Sequence, residues 1–151
     1  MHELRFRKAE RLRLRSLVEG LFAEGNGMYD FPLRMVWRRI SPRQLQEAFR
    51  NGTPRGIHRL QMMVTVPKKK RRHAVDRVLM RRRIREAYRL NRMPLSQTVR
   101  GLPDGSYIQI AFIYLHNENL PYADIERRMQ RLLAKLQSVL CTSEPSSDTS
   151  C

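Results

Sequence analysis

The chain has 151 residues and 41% apolar side chains, enough for one domain with a modest core. Its 30 Lys and Arg against 14 Asp and Glu leave a formal charge of +16. Self-repulsion of that size destabilises the free protein and points to a polyanionic partner, nucleic acid ahead of an anionic membrane surface. Two cysteines, Cys141 and Cys151, with no Cys/His spacing exclude a disulfide-stapled core and a structural zinc, and no apolar run is long enough to span a bilayer.

The opening MHELRFRKAERLRLRS is basic but lacks the apolar segment of a signal peptide, and Glu3 and Glu10 argue against a transit peptide, so the cytoplasm is the expected compartment. Leu4, Phe6, Leu12 and Leu14 alternate more than they follow 3.6-residue spacing, so residues 1–15 read as a basic arm or strand. Ser16 to Glu19 matches the capping-box pattern, and Leu17, Val18, Leu21 and Phe22 share one face. A helix is predicted from Leu17 to Glu24, with Gly25 in a left-handed position behind it. After a Gly-Asn-Gly turn, alternation from Phe31 to Ile40 predicts a strand with Leu33, Met35 and Trp37 on its buried side. Residues 41–57 form a long polar loop insertion with one helical turn near Gln44–Phe49.

Leu60–Val66 and Ser106–Leu115 read as two further strands, the last nearly continuous in apolar character as a central strand would be. Between them His73–Asn91 is helical, and Ile125, Met129, Leu132, Leu133, Leu136, Val139 and Leu140 mark an amphipathic helix that starts at Pro121. Residues 141–151 have the composition of a disordered tail, leaving 1–140 as a single domain. The predicted architecture is α+β, a small sheet with helices packed on one face.

Twelve Lys or Arg lie between Val66 and Arg92, opposed only by Asp76 and Glu86. On the predicted helix Leu79, Met80, Ile84, Ala87 and Leu90 gather on one side. Arg77, Arg81, Arg85 and Arg89 fall at i, i+4, i+8 and i+12, with Arg82 and Arg92 on the flanks. Like charges at i,i+4 destabilise a helix, and a merely solvated face mixes signs, so this stripe is expected to bind phosphates. Arginine suits that task, because its planar fork holds two oxygens of one phosphate. Lys68, Lys69, Lys70, Arg71 and Arg72 precede the helix at its anion-favouring end and continue the positive surface. The string PKKKRR also looks like a nuclear localisation signal, but it is pinned between a strand and a helix. No Asn or Gln accompanies the outward arginines, so backbone and shape recognition of folded RNA fits better than base readout of duplex DNA.

No protein nucleophile or metal cluster emerges. His73 and Glu86 are thirteen positions apart, about 20 Å along one helix, too far to act on one phosphate. Trp37 and the methionines Met62, Met63, Met80 and Met129 read as core.

These features together resemble the protein subunit of bacterial ribonuclease P. The family's FxK..RL appears as Phe6-Arg7-Lys8…Arg11-Leu12, and its phenylalanine-xx-Gly as Phe22-Ala23-Glu24-Gly25. Its strand end VPKK is Val66-Pro67-Lys68-Lys69, and its AVxRNRxKRxxRE is Ala74 to Glu86. One departure stands out: where the family has Arg-Asn-Arg, this chain has Arg77-Val78-Leu79, with Arg72 and Arg83 nearby to compensate. A second is Val18, where an aromatic is common.

The resemblance implies the family's sandwich, shared with a ribosomal-protein domain and containing a left-handed βαβ crossover. It implies a subunit that binds the catalytic RNA, one protein per RNA, and assists removal of the 5′ leader from precursor tRNA. The chemistry then belongs to the RNA and to Mg²⁺ held mainly by it. Lys8 and Arg11 join the RNA-binding set, and Phe6 and Phe22 are expected to border a cleft for the single-stranded leader. The competing readings are a noncatalytic ribosomal or chaperone-like RNA binder and, disfavoured for want of acid and base residues, a self-sufficient nuclease.

Overall fold

Alternating apolar positions along four segments build one mixed sheet, seen in a computed structural model that describes residues 6–49, 52–53 and 56–142. The strands are β1 (Asn26–Asp30), β2 (Leu33–Ile40), β3 (Leu60–Thr65) and β4 (Tyr107–Tyr114), in the order β1-β2-β4-β3. β1 and β2 pair antiparallel, as do β2 and β4, while β3 runs parallel to β4. The Gly-Asn-Gly segment predicted as a turn therefore opens β1, and the hairpin instead reverses at Phe31-Pro32. Parallel neighbours need a crossover, supplied by α3 (Ala74–Asn91) and α4 (Met93–Arg100). The sequence reading missed α4. Pro94 in its first turn and Leu95 and Val99, both buried one turn apart, are the signals it carried.

One sheet face presents Leu33, Met35, Leu60, Met62, Ile108, Ile110, Phe112 and Tyr114 to α3, α4 and α5 (Tyr122–Thr142). Six residues of α5 (Ile125, Met129, Leu132, Leu133, Leu136 and Leu140) are buried there, at the predicted spacing. The helix continues through Thr142, past the expected boundary at 140; the remainder of the tail lies outside the described residues. The prediction of helices on one face holds for these three. The exceptions are α1 (Arg15–Glu24) and α2 (Pro42–Ala48), whose Leu17, Leu21 and Leu45 form a second cluster with Val36, Ile40 and Ala111 on the opposite face. β4 is covered on both sides where α1 crosses, which is why it is apolar at every position but Gln109.

The start of α1 differs from the capping-box reading. Leu14 occupies the N-cap position, and Glu19 pairs with Arg15 at 2.8 Å instead of reaching back to Ser16. Gly25 is extended, with φ −74°, rather than left-handed. It is required there for closeness: a Cβ would meet the Leu21 carbonyl oxygen at 2.4 Å and Val36 Cγ1 at 2.6 Å. The capping box occurs instead at α2, where Ser41 Oγ accepts from the Gln44 amide and the Gln44 side chain accepts from the Ser41 amide. Part of the 41–57 insertion is thus an ordered helix with a core contact through Leu45.

The arm follows the free edge of β3. Lys8–Glu10 makes a single 3₁₀ turn, Arg11 bridges to Met62, and the Leu12 amide donates to the Met62 carbonyl at 2.9 Å. The arm is fixed by a buried ion pair. Arg92 Nε donates to Glu10 Oε1 at 2.7 Å and Arg92 Nη2 to Glu10 Oε2 at 3.3 Å, with both residues almost fully buried. The Arg7 amide adds a bond to Glu10 Oε2. Arg92, expected on the flank of the outward stripe, is therefore internal.

Losing one partner of a buried pair costs about 3–5 kcal/mol, because the other charge stays buried without compensation. Glu10→Gln and Arg92→Met are each expected to lower the unfolding free energy in urea by about that much. The double variant should lose clearly less than the two single losses added; simple additivity would show that the two charges are not coupled.

Candidate nucleic-acid interface

Helix α3 sets the geometry of the basic surface. Met80, Ile84, Ala87 and Tyr88 form its buried side, and Tyr88 meets Phe112 and Phe6 edge-on at ring separations of 5.9 and 6.0 Å. The helix is turned relative to the predicted wheel, since Tyr88 is internal and Leu90 is 40% exposed. The predicted stripe accordingly runs along one shoulder of the helix. Arg82 and Arg85 are exposed, while Arg77, Arg81 and Arg89 are half-buried.

The arginines divide into two kinds. Arg89 is held by Glu86 through two bonds of 2.9 and 2.7 Å. Arg77 turns back to cap the carbonyls of Arg71 and Arg72 at 2.9 and 2.8 Å. Arg83 donates to the Leu120 carbonyl, so it does not replace the arginine missing from the family's motif. Arg81, Arg82 and Arg85 make no hydrogen bond or ion pair with any described residue. Burial, followed by the charges of Arg11 and Arg81, pulls the Arg85 guanidinium below its ordinary value. Val75 and Val78 add an exposed apolar strip to the first turns, at the place where the family's Asn would stand.

The loop before α3 is rigidly clamped. Arg71 pairs with Asp76 at 3.0 Å, donates to Asn119 Oδ1 at 3.0 Å and to the Asn117 carbonyl, while Asn119 Nδ2 donates to Asp76 Oδ1 at 3.0 Å. Arg71 is therefore a positioning residue. The clamp leaves Lys68, Lys69, Lys70 and Arg72 fully at the surface. Lys8 and Arg11 are also exposed, and the Arg11 guanidinium lies over the Phe6 ring at 5.5 Å. Through that position the arm joins the α3 surface.

A second surface lies on the opposite sheet face. The strand register places Tyr29, Arg34, Ile113 and Thr65 in one row across all four strands, next to the row of Gly27, Val36, Ala111 and Met63. α1 covers Val36 and Ala111 but leaves the first row open at Tyr29 and Arg34. Phe22 is 44% exposed on α1, and Val18, one turn before it, is half-buried against the cluster on this sheet face. Phe6 does not reach it, because its ring packs on the α3 side against Tyr88. The two phenylalanines therefore do not border one cleft, contrary to the sequence reading. Arg34 and Arg13, both exposed and without a partner among the described residues, were overlooked; single arginines in strands or arms carry no spacing signal.

Among the described residues no three His, Cys, Asp or Glu side chains converge where they could hold a metal ion. Asp76 and Glu86, the acids nearest the basic surface, are engaged by Arg71, Asn119 and Arg89. This donor set does not fit a magnesium held by the protein. No helix of the described residues is long and apolar enough to cross a membrane.

With this geometry in hand, comparison with known proteins gives a consistent picture. The profile of the family described as Ribonuclease P matches residues 6–137. The ribonuclease P protein components of two Porphyromonas gingivalis strains, W83 and ATCC 33277, are each 33% identical over 129 residues, covering 85% of this chain and 84% of theirs. Among solved structures, the RNase P protein of Staphylococcus aureus superposes with a TM-score of 0.60 at 15% identity, covering 85% of this chain and 96% of that one. The Thermotoga maritima RNase P protein gives 0.58 at 20% identity, covering 83% and 96%. At these identities the superpositions establish the fold.

The clamp has a pH signature. The Asn119 hydrogen bond, with the Arg71 charge in support, holds the Asp76 carboxyl below its ordinary 3.8. A carboxylate depressed in the folded state stabilises above its unfolded value, and that stability is lost as pH falls through the folded one. The urea midpoint of the wild type is therefore expected to drop more steeply below pH 3.8 than that of Asp76→Asn. Parallel curves would remove Asp76 from the acid response.

Proposed function

The chain belongs to the ribonuclease P protein family and is the protein subunit of that endoribonuclease, and from this premise we propose how its surfaces share the work. The α3 shoulder and the clamped loop grip the phosphates of the ribonuclease P RNA through Arg81, Arg82, Arg85, Arg72 and Lys68 to Lys70, with Lys8 and Arg11 extending the contact along the arm. The observation that carries this reading is selective pairing. Arg15, Arg38, Arg39, Arg43, Arg127 and Arg131 all have carboxylate partners, whereas the cations of this surface have none among the described residues. Such a face gains free energy when condensed counterions are released from a polyanion.

The cleft on the other sheet face receives the single-stranded 5′ leader of precursor tRNA. Phe22 and Tyr29 offer rings on which unpaired bases stack, and Arg34 sits in the same row to meet the backbone. Placing the two RNA-binding surfaces on opposite sides of one sheet lets the protein hold catalyst and substrate together without competition between them. The acid and base work of hydrolysis, and the Mg²⁺ it uses, sit on the RNA in this reading. The protein raises the local concentration and orientation of the substrate. A single copy per RNA, working in the cytoplasm, completes the proposal.

Three measurements test it. Precursor tRNA should be cleaved at low Mg²⁺ by the protein and RNA together, and not by the protein alone. No improvement over the RNA by itself would favour a noncatalytic RNA binder. Arg81→Ala and Arg85→Ala should each weaken binding of the RNA subunit and flatten its dependence on log salt by about one; an unchanged slope takes that residue out of the interface. Phe22→Ala should weaken binding of leader-bearing substrate by roughly 1–3 kcal/mol while leaving leaderless tRNA unaffected. Equal losses for both would place Phe22 outside the leader site.

A further inference from the structure

A groove of about 650 Å³ opens on the α1 side of the sheet, at the end of β3 away from Thr65. Its apolar walls are Leu14 and Leu17 on one side and Phe49 and Ile57 of the 41–57 segment on the other. Gln61 lines it and is only 6% exposed. Gln61 Nε2 donates to the Ala9 carbonyl at 3.3 Å, which leaves Oε1 buried with no hydrogen-bond partner. Buried acceptors are nearly always satisfied, so Oε1, just beneath the groove lining, is an acceptor still open to a donor. Lys8, Arg11 and Arg13 stand at the mouth, all exposed and none paired with a carboxylate among the described residues.

We propose that this groove takes one unpaired nucleotide of an RNA strand, its base against Leu17, Phe49 and Ile57, a base N–H on Gln61 Oε1, and its phosphate on Lys8, Arg11 and Arg13. The inference rests on the reading of this chain as an RNA-binding subunit and extends its α3 surface through the arm cations Lys8 and Arg11 to a third site, distinct from the Phe22 cleft. Each part of the ligand is matched. Pockets of this size and apolar character accommodate ligands as large as a nucleotide. Every RNA base carries at least one N–H on its Watson–Crick edge, free only when the base is unpaired. Three uncompensated cations at the mouth fit a phosphate and disfavour an uncharged or cationic ligand. Arg11 also lies within electrostatic reach of Arg85, which joins the groove to the α3 surface as one path for a polyanion. Phe49 and Ile57 gain a role by this reading, as they supply one wall.

The test uses the ¹⁵N-labelled full chain, titrated with short single-stranded oligoadenylate and, separately, with inorganic phosphate. Oligoadenylate should shift the Gln61 side-chain amide and the Leu17 and Ile57 backbone amides, and these shifts should persist in Phe22→Ala. Arg13→Glu, at an exposed position, and Ile57→Glu, on the wall, should each abolish those shifts or weaken them about tenfold in affinity, within the range a stacked base contributes. Oligoadenylate binding that moves only the Phe22 cleft, and is indifferent to Arg13→Glu, overturns the groove and leaves the leader reading intact. Phosphate shifting Arg11 and Arg13 as strongly as the oligonucleotide, with Gln61 unmoved, reduces the groove to an anion site and also overturns it. No oligonucleotide binding anywhere removes both readings.

Discussion

The pairing of Glu10 with Arg92 governs where everything else can be. It joins a residue of the arm to the residue that ends α3, across 82 positions of chain, inside the protein. An ion pair so deeply desolvated gives little net stability compared with apolar packing, but it permits few alternatives, because neither charge can be buried alone. Its consequence is positional. With Glu10 fixed, the arm must follow the edge of β3, Phe6 must lie against Tyr88, and Arg11 must stand beside Arg85. The continuous positive surface is thus produced by a buried negative charge.

The same economy applies to the rest of the cations. A chain of charge +16 cannot pair all its arginines with its own acids, and the structure shows where the few acids are spent. Asp30 holds Arg131 and ties the β1–β2 hairpin to α5, Asp104 holds Arg39, and Asp76 holds Arg71. Arg38 lies beneath α1 against Gln109 and Glu24, in space that Gly20 leaves free, since a Cβ there would meet its guanidinium at 2.5 Å. Each of these arginines is a tie between elements. The unpaired remainder is concentrated on the α3 shoulder, the preceding loop and the arm. The charge of that face is therefore set as much by where the carboxylates are absent as by where the arginines are present.

How far the sequence could be read follows from the range of the forces involved. Periodicity is local, so β2, β3, β4, α3 and α5 were legible almost to their ends. Choices made by distant partners were not legible. Gly25 looked like a helix terminator because the approach of Val36 to it belongs to another strand. Asn26 and Gly27 looked like a turn because the pairing that makes them a strand comes from Trp37 and Val36. Arg77 and Arg92 looked like members of an outward array and Arg83 like a substitute for the missing motif arginine, and only the carbonyls and the carboxylate they meet in three dimensions reassign them. The separation of Phe6 from Phe22 was hidden for the same reason, since the arm and α1 lie on different faces of the sheet.

The loss of the family's Asn and second Arg can be understood against this background. A phosphate contact is a surface property that any nearby cation can supply, so the total affinity for a polyanion depends on how many unpaired cations share a face. Arg72, Arg81, Arg82 and Arg85 keep that number high around Val78 and Leu79. What a nearby arginine cannot restore is a hydrogen bond to a particular group, and Val78 offers apolar surface there instead. The exchange shifts the first turns of α3 from polar toward nonpolar contact while the electrostatic term stays in place. The loop before the helix keeps its geometry independently of the motif, because Arg71, Asp76 and Asn119 hold it.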